Sequence, residues 1–211
     1  MNTLKIKLSI KNKLGLKLST KDKFIFKSIN KGDIVIDCGA NVGIVTDLFS
    51  KREAKVYAFE PNPYAFKKLN EKFHNVSNVI CKNEGVGVKD QKTKLFFHEN
   101  SDKDPLYWST GSSLLESKPN VNSNNYIETN VINLSEFINN LKSRVKILKI
   151  DIEGTECDLL DDLIEKDIIK KIDIILAETH AHKIPELIHK TNALKEKIKV
   201  NKIDNIYLNW T

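Results

Sequence analysis

The stretch that most limits what this chain can become is residues 33–43, Asp33-Ile34-Val35-Ile36-Asp37-Cys38-Gly39-Ala40-Asn41-Val42-Gly43. Its first half is an apolar, β-branched run, the pattern of a buried strand. Gly39 and Gly43 then open a turn in which no Cβ blocks the close approach of another group, and a helix is predicted over 43–51. Strand, glycine turn and helix together make the opening of a nucleotide pocket, because the helix N-terminus faces whatever lies beyond the strand. The spacing is not a dinucleotide fingerprint, which needs glycine where Asn41 and Ile44 stand, and no Gly-Lys-Ser/Thr follows to make a P-loop.

Asp37 narrows the ligand. A carboxylate at the strand tip repels a pyrophosphate but accepts hydrogen bonds from an ammonium group. S-adenosylmethionine carries such an ammonium, and a carboxylate for the helix end. A plain strand-to-helix turn with Asp37 as a local cap accounts for the same residues and stays open at this point.

The chain has 211 residues, 40% of them hydrophobic, enough for one α/β domain with a sizeable core and too few for a second. The division expected is a basic N-terminal flank over 1–31 and a single domain over 32–211. The net charge of +6 comes from lysines spread along the chain; it favours an anionic partner such as a nucleic acid, a phosphorylated sugar or a membrane surface only in a general way. Cys38, Cys81 and Cys157 are far apart and lack C-x-x-C spacing, which argues against a zinc site or a disulfide framework and for a reducing, cytoplasmic location. No apolar run approaches the ~18 residues of a membrane span, and the N-terminus lacks a signal-peptide core.

In chain order, Leu4, Ile6 and Leu8, then Leu14, Leu16 and Leu18, alternate as in short edge strands, and Thr20 and Asp22 precede a short capped helix at 24–29. A second strand over 54–59 stops at Glu60, because Pro61 and Pro63 cannot extend a ladder, and a helix follows at 63–73. An acidic residue about 20 positions beyond a glycine turn suits ribose hydroxyls, although it also suits a helix cap. A third strand, 79–82, ends at Asn83-Glu84-Gly85, where an adenine edge would be read in a doubly wound sheet. A fourth covers 94–98. Residues 99–125 are polar and interrupted by Pro105, Gly111 and Pro119; within them 106–114 is expected to form a substrate lid, with disorder competing in the Asn-rich half. A strand at 129–132, a helix at 135–142 capped by Asn133 or Ser135, and a strand from Val145 then lead to Asp151-Ile152-Glu153-Gly154-Thr155-Glu156. Thr155 and Asp158 resemble a capping box for a helix at 156–166. A buried strand at 172–177 ends at Glu178 and His180, a helix covers 184–198, and a last strand spans 205–210.

Five strands therefore end at Asp37, Glu60, Glu84, Asp151 and Glu178 with His180. In an open parallel sheet these tips converge on one crevice. The segments Gly32 to Gly43, Phe59-Glu60-Pro61-Asn62-Pro63 and Lys149 to Glu156 resemble the FkbM-type S-adenosylmethionine-dependent methyltransferases, over about residues 24–182. The resemblance implies an α/β fold with a doubly wound, mostly parallel sheet, Rossmann-like and of the class I methyltransferase type, here with a shortened C-terminal strand pair. It implies S-adenosyl-L-methionine as cofactor. Asp37, Gly39, Ala40, Asn41 and Gly43 would hold its methionine end, Glu60 with Pro61 its ribose, and Glu84 with Gly85 its adenine. Asp151, Glu153 and His180 would face the substrate.

The family also implies O-methylation, often of a sugar, glycan or small metabolite. Asp151 or His180 is the candidate base for the acceptor hydroxyl. A divalent ion held by Asp151, Glu178 and His180 is the alternative, and no metal is assigned. A nucleic-acid acceptor and a non-catalytic, cofactor-binding regulator are the rival functions.

Overall fold

In the computed structural model, which describes residues 20–208 and 210, the run at 34–38 is an interior strand of a six-stranded sheet. The elements of that sheet and its covering helices are α1 (Thr20–Lys27), β1 (Ile34–Cys38), α2 (Ile44–Ser50), β2 (Lys55–Phe59), α3 (Pro63–Phe73) and β3 (Val79–Lys82) in the first half. The second half adds α4 (Leu134–Asn139), β7 (Val145–Ile150), α5 (Glu156–Glu165), β8 (Ile172–Ala177), α6 (Leu187–Val200) and β9 (Ile206–Tyr207). Between the halves, β4 (Gly85–Gly87), β5 (Gln91–His98) and β6 (Val121–Asn133) form a separate three-stranded sheet, ordered β4-β6-β5.

The main sheet runs β3-β2-β1-β7-β8-β9, with every pair parallel. Both faces are covered, which is why its strands read as near-continuous apolar runs. Ile36 and Cys38 of β1 pack with α4, α5 and α6 on one face, whereas Val35 packs with α1, α2 and α3 on the other. The sheet is thus doubly wound, and strand order reverses between β1 and β7, where Asp37 lies beside Lys149. Ligands of such sheets bind beyond the strand ends at that reversal.

Several expectations shift. The strand expected at 129–132 is the end of β6, which begins at Val121 and pairs antiparallel with β5. The Asn-rich half of 99–125 is therefore ladder, and its residues gave no apolar alternation because several of them face solvent. No capping box forms: Thr155 makes no side-chain cap, and Glu156 reaches back instead. Asn133 does cap α4, accepting from the Glu136 N–H. Ile25, Phe26 and Ile29 are buried in the core, so the packed unit reaches N-terminal of residue 32. The alternation at residues 4–18 lies outside the described residues. After α6 the described chain adds one two-residue strand, parallel to β8. No helix among the described residues is long and apolar enough to cross a membrane.

Candidate active site

The turn after β1 is shaped by its neighbours. Gly39 has φ +76°, and a Cβ there would lie 1.8 Å from the Asp151 carbonyl oxygen at the tip of β7. Gly43, at φ +79°, leaves room for Leu69 and Phe73 of α3. Both positions require glycine for conformation and for space. Gly39 and Ala40 donate backbone N–H bonds to the Phe59 carbonyl, which ties the turn to β2.

Beneath the turn lies a buried ion pair. Asp37 is fully buried; its Oδ2 accepts from Thr46 Oγ1 at 2.7 Å, and its Oδ1 is 3.1 Å from Lys149 Nζ. Lys149 also donates to the carbonyls of Gly39 (2.7 Å) and Cys38 (3.2 Å). Burial opposes the Lys149 charge, but the Asp37 and Asp151 carboxylates outweigh it and hold the ammonium above the usual lysine range. Asp37 is not on the cavity wall. The structure puts Lys149 where the sequence placed a ligand ammonium.

Glu60 is at the tip of β2, 6% exposed. Its Oε2 accepts from the Asn41 N–H (2.7 Å) and its Oε1 from the Asn62 N–H (2.8 Å), so one carboxylate braces both turns. Burial pushes its carboxyl up to about 7, against those two amide bonds. Each oxygen keeps a second lone pair for a ligand hydroxyl. Asn83 donates to the Glu60 and Pro61 carbonyls, while Glu84 and Gly85 line the cavity farther along.

The opposite end is an acid corner. His180 is buried, and its Nδ1 lies 2.8 Å from Glu156 Oε1, which also accepts from the Ile152 and Gly154 N–H groups. This holds the ring with Nε2 toward Glu153 Oε2 (3.4 Å), Asp151 Oδ1 (3.6 Å) and Glu178 Oε1 (3.7 Å). Burial works against an imidazolium here, but the Glu156 hydrogen bond and the neighbouring carboxylates prevail and raise the His180 pKa. Asp151, Glu153 and Glu178 line the cavity; His180 backs them. Glu153, in a left-handed backbone conformation (φ 60°), is paired with the buried Lys118 at 2.8 Å.

Residues 106–118 form one side of the site, the cover, and within them 106–110 and 112–114 line the cavity wall. Tyr107–Gly111 is a single 3₁₀ turn. Asn41 Nδ2 donates to Ser109 Oγ (3.0 Å) and Asn62 Nδ2 to Ser112 Oγ (2.9 Å). Lys118 donates to the Gly111 carbonyl at 2.7 Å, and Trp108 stacks on His98 with centroids 4.2 Å apart. The cover is therefore fastened to the turns after β1 and β2 and to the acid corner.

The enclosed volume is about 530 Å³, within the usual range for small-ligand sites. Gly39, Ala40, Asn41, Glu60, Pro61, Glu84, Gly85, Asp151 and Glu153 reach its wall; Asp37, Gly43 and His180 stand behind it. Sequence reasoning missed Lys149, Glu156 and Trp210. The signal for Lys149 was a lysine at a buried position near the end of a strand whose other lysine, Lys146, is near its start. Trp210 lines the wall, and its buried indole N–H has no acceptor among the described residues.

A family model described as the methyltransferase FkbM domain matches residues 37–199. Methyltransferase 1 of Beauveria bassiana (strain ARSEF 2860) is 30% identical over 163 residues, 69% of this chain and 65% of that protein. tRNA (guanine(37)-N(1))-methyltransferase Trm5b of Pyrococcus abyssi (strain GE5 / Orsay) is 34% identical over 82 residues, 37% of this chain and 25% of that protein. The chain thus spans less than two thirds of the length of either relative. A solved methyltransferase from Streptococcus mutans, in complex with SAH, aligns with a TM-score of 0.46 and 16% identity, covering 86% of this chain and 79% of that one.

Proposed function

The chain belongs to the methyltransferase FkbM domain family, and from that premise we propose that it transfers a methyl group from S-adenosylmethionine to a hydroxyl of a sugar, glycan or small metabolite. The observation that carries this reading is the charge of the cavity wall at the sheet's reversal point, five carboxylates (Glu60, Glu84, Asp151, Glu153, Glu178) against one ammonium, Lys149. Such a wall suits a ligand bearing a sulfonium and an ammonium and disfavours polyphosphates. The orphan indole N–H of Trp210 offers a donor to the ligand's carboxylate. Glu60 and its remaining lone pairs suit the ribose, and Glu84 with Gly85 suits the adenine.

When bound, the cofactor would supply a sulfonium methyl carbon for in-line attack by an oxygen lone pair, the C–S pair leaving on sulfur. The protein's part is to hold the acceptor oxygen on that line and to take its proton. Asp151 is on the wall and in reach of a ligand; His180 stands behind it, held by Glu156. We assign the base to Asp151. The 106–114 cover serves as the lid that excludes water. The three free thiols fit a reducing, cytoplasmic setting.

A nucleic-acid acceptor is the second reading, favoured by the net charge of +6 and by the tRNA methyltransferase similarity. One experiment separates them: labelled S-adenosylmethionine offered with a panel of glycans, hydroxylated metabolites and RNA. The proposal expects label on a hydroxyl compound, with Asp151→Asn lowering turnover about 10²- to 10⁴-fold. Label in RNA alone would overturn it, and no transfer to any acceptor by a cofactor-binding protein would favour a regulator.

A further inference from the structure

We propose that Asp151, Glu178 and His180 form a binding site for one divalent cation of the Mn²⁺ class at the acid corner of the cavity. The place of this ion in the reaction rests on the methyl-transfer reading above; the site rests on geometry alone. The three side chains each offer a ligand atom, and these atoms lie within 4.8 Å of one another.

His180 supplies the independent observation. It is 1% exposed, and its Nε2 has no hydrogen-bond partner among the described residues although it points at carboxylates. Asp151 Oδ1 and Glu178 Oε1 stand 3.6 and 3.7 Å away, too far for hydrogen bonds but spaced for one ion at roughly 2.0–2.5 Å from each atom. A proton on Nε2 answers the charge but not the distances. The closest oxygen, Glu153 Oε2 at 3.4 Å, is already held by Lys118 at 2.8 Å. The Glu156 carboxylate on Nδ1 is the support that metal-binding histidines receive from a neighbouring acid, since it fixes the tautomer with the Nε2 lone pair toward the ion. Two carboxylate oxygens and one imidazole nitrogen, with no thiolate, suit a first-row ion of intermediate hardness.

An ion there binds the acceptor hydroxyl oxygen and lowers its pKa. The O–H pair would stay on the acceptor oxygen and the proton would pass to Asp151 Oδ2; the acceptor oxygen would then form the O–C bond as the C–S pair leaves on sulfur, with no change in the ion's oxidation state.

The test uses the full chain, freed of metal by EDTA and desalted, titrated with MnCl₂ by calorimetry and by the electron paramagnetic resonance of free Mn²⁺. Binding of one equivalent is expected, weakened at least tenfold in Asp151→Asn and in Glu178→Gln and unchanged in Asp158→Asn, whose carboxylate pairs with Lys190 on the surface. S-adenosylmethionine binding and circular dichroism, measured on each variant, report that it is folded. Cofactor binding without Mn²⁺ binding, or Mn²⁺ binding equal in all variants, overturns the ion site and leaves the methyl-transfer reading standing. Mn²⁺ binding of the expected pattern without cofactor binding upholds the ion site and overturns that reading instead.

Discussion

At the scale of single residues, the site is built from groups that serve two masters. Gly39 is held by the Asp151 carbonyl as much as by any ligand, so Gly39→Ala must displace β7's tip as well as adopt a strained φ. We expect a loss of at least about 2 kcal/mol in urea unfolding, and a wild-type midpoint would contradict this. Glu60 carries the pH dependence. In the proposed function ribose hydroxyls would donate to its ionised form, and burial pushes its carboxyl up to about 7. Cofactor affinity should therefore be full near pH 8 and fall up to about tenfold per unit below 7, a slope that calorimetry should find flattened in Glu60→Gln. In the free protein the sign is opposite. Glu60's folded value lies above its ordinary 4.5, so the folded chain holds more protons in that window and this group's contribution to stability declines as pH rises through it. Glycines and strand-tip acids were legible in the sequence because the backbone demands them. Lys149 and Glu156 were not, since an interior lysine and a helix-start glutamate acquire their partners only through tertiary contacts with Asp37 and His180.

At the scale of elements, the informative one is the 106–118 cover. Its lining role was readable from the aromatic and hydroxyl residues in a long polar stretch; its attachment was not, because Asn41 and Ser109 lie 68 positions apart. Ser109 and Ser112 each accept one bond from the turns after β1 and β2, from Asn41 and Asn62. Removing both hydroxyls should loosen the cover by roughly 1–3 kcal/mol in total with little effect on the core. The expected outcome for Ser109→Ala with Ser112→Ala is faster proteolytic cleavage within 106–118 at an unchanged midpoint of global unfolding. Equal cleavage rates would show that the hydroxyls do not fasten it. The first part of β6, residues 121–128, escaped the sequence for a related reason: its ladder is set by pairing with β5, and its polar residues carry no apolar period.

At the scale of the whole molecule, the parallel sheet and its two apolar faces were legible from β-branched runs separated by turn residues. The part played by α1 was not, because its helix reads as a lysine-rich flank until Phe26 is seen stacked on Phe49, with centroids 5.1 Å apart. Phe26→Ala should destabilise the fold by about 3 kcal/mol in urea unfolding, whereas an exposed flank would lose almost nothing. Charge is also a property of this scale: the chain is cationic as a whole, yet the cavity at the reversal point is acidic, which is the arrangement a cationic methyl donor needs. Calorimetric titration of S-adenosylmethionine into the full chain tests that claim most directly. The account predicts saturable binding of one equivalent, weakened at least tenfold in a cooperatively folded Glu60→Ala variant; no binding by the wild type, or equal binding by both proteins, would contradict it.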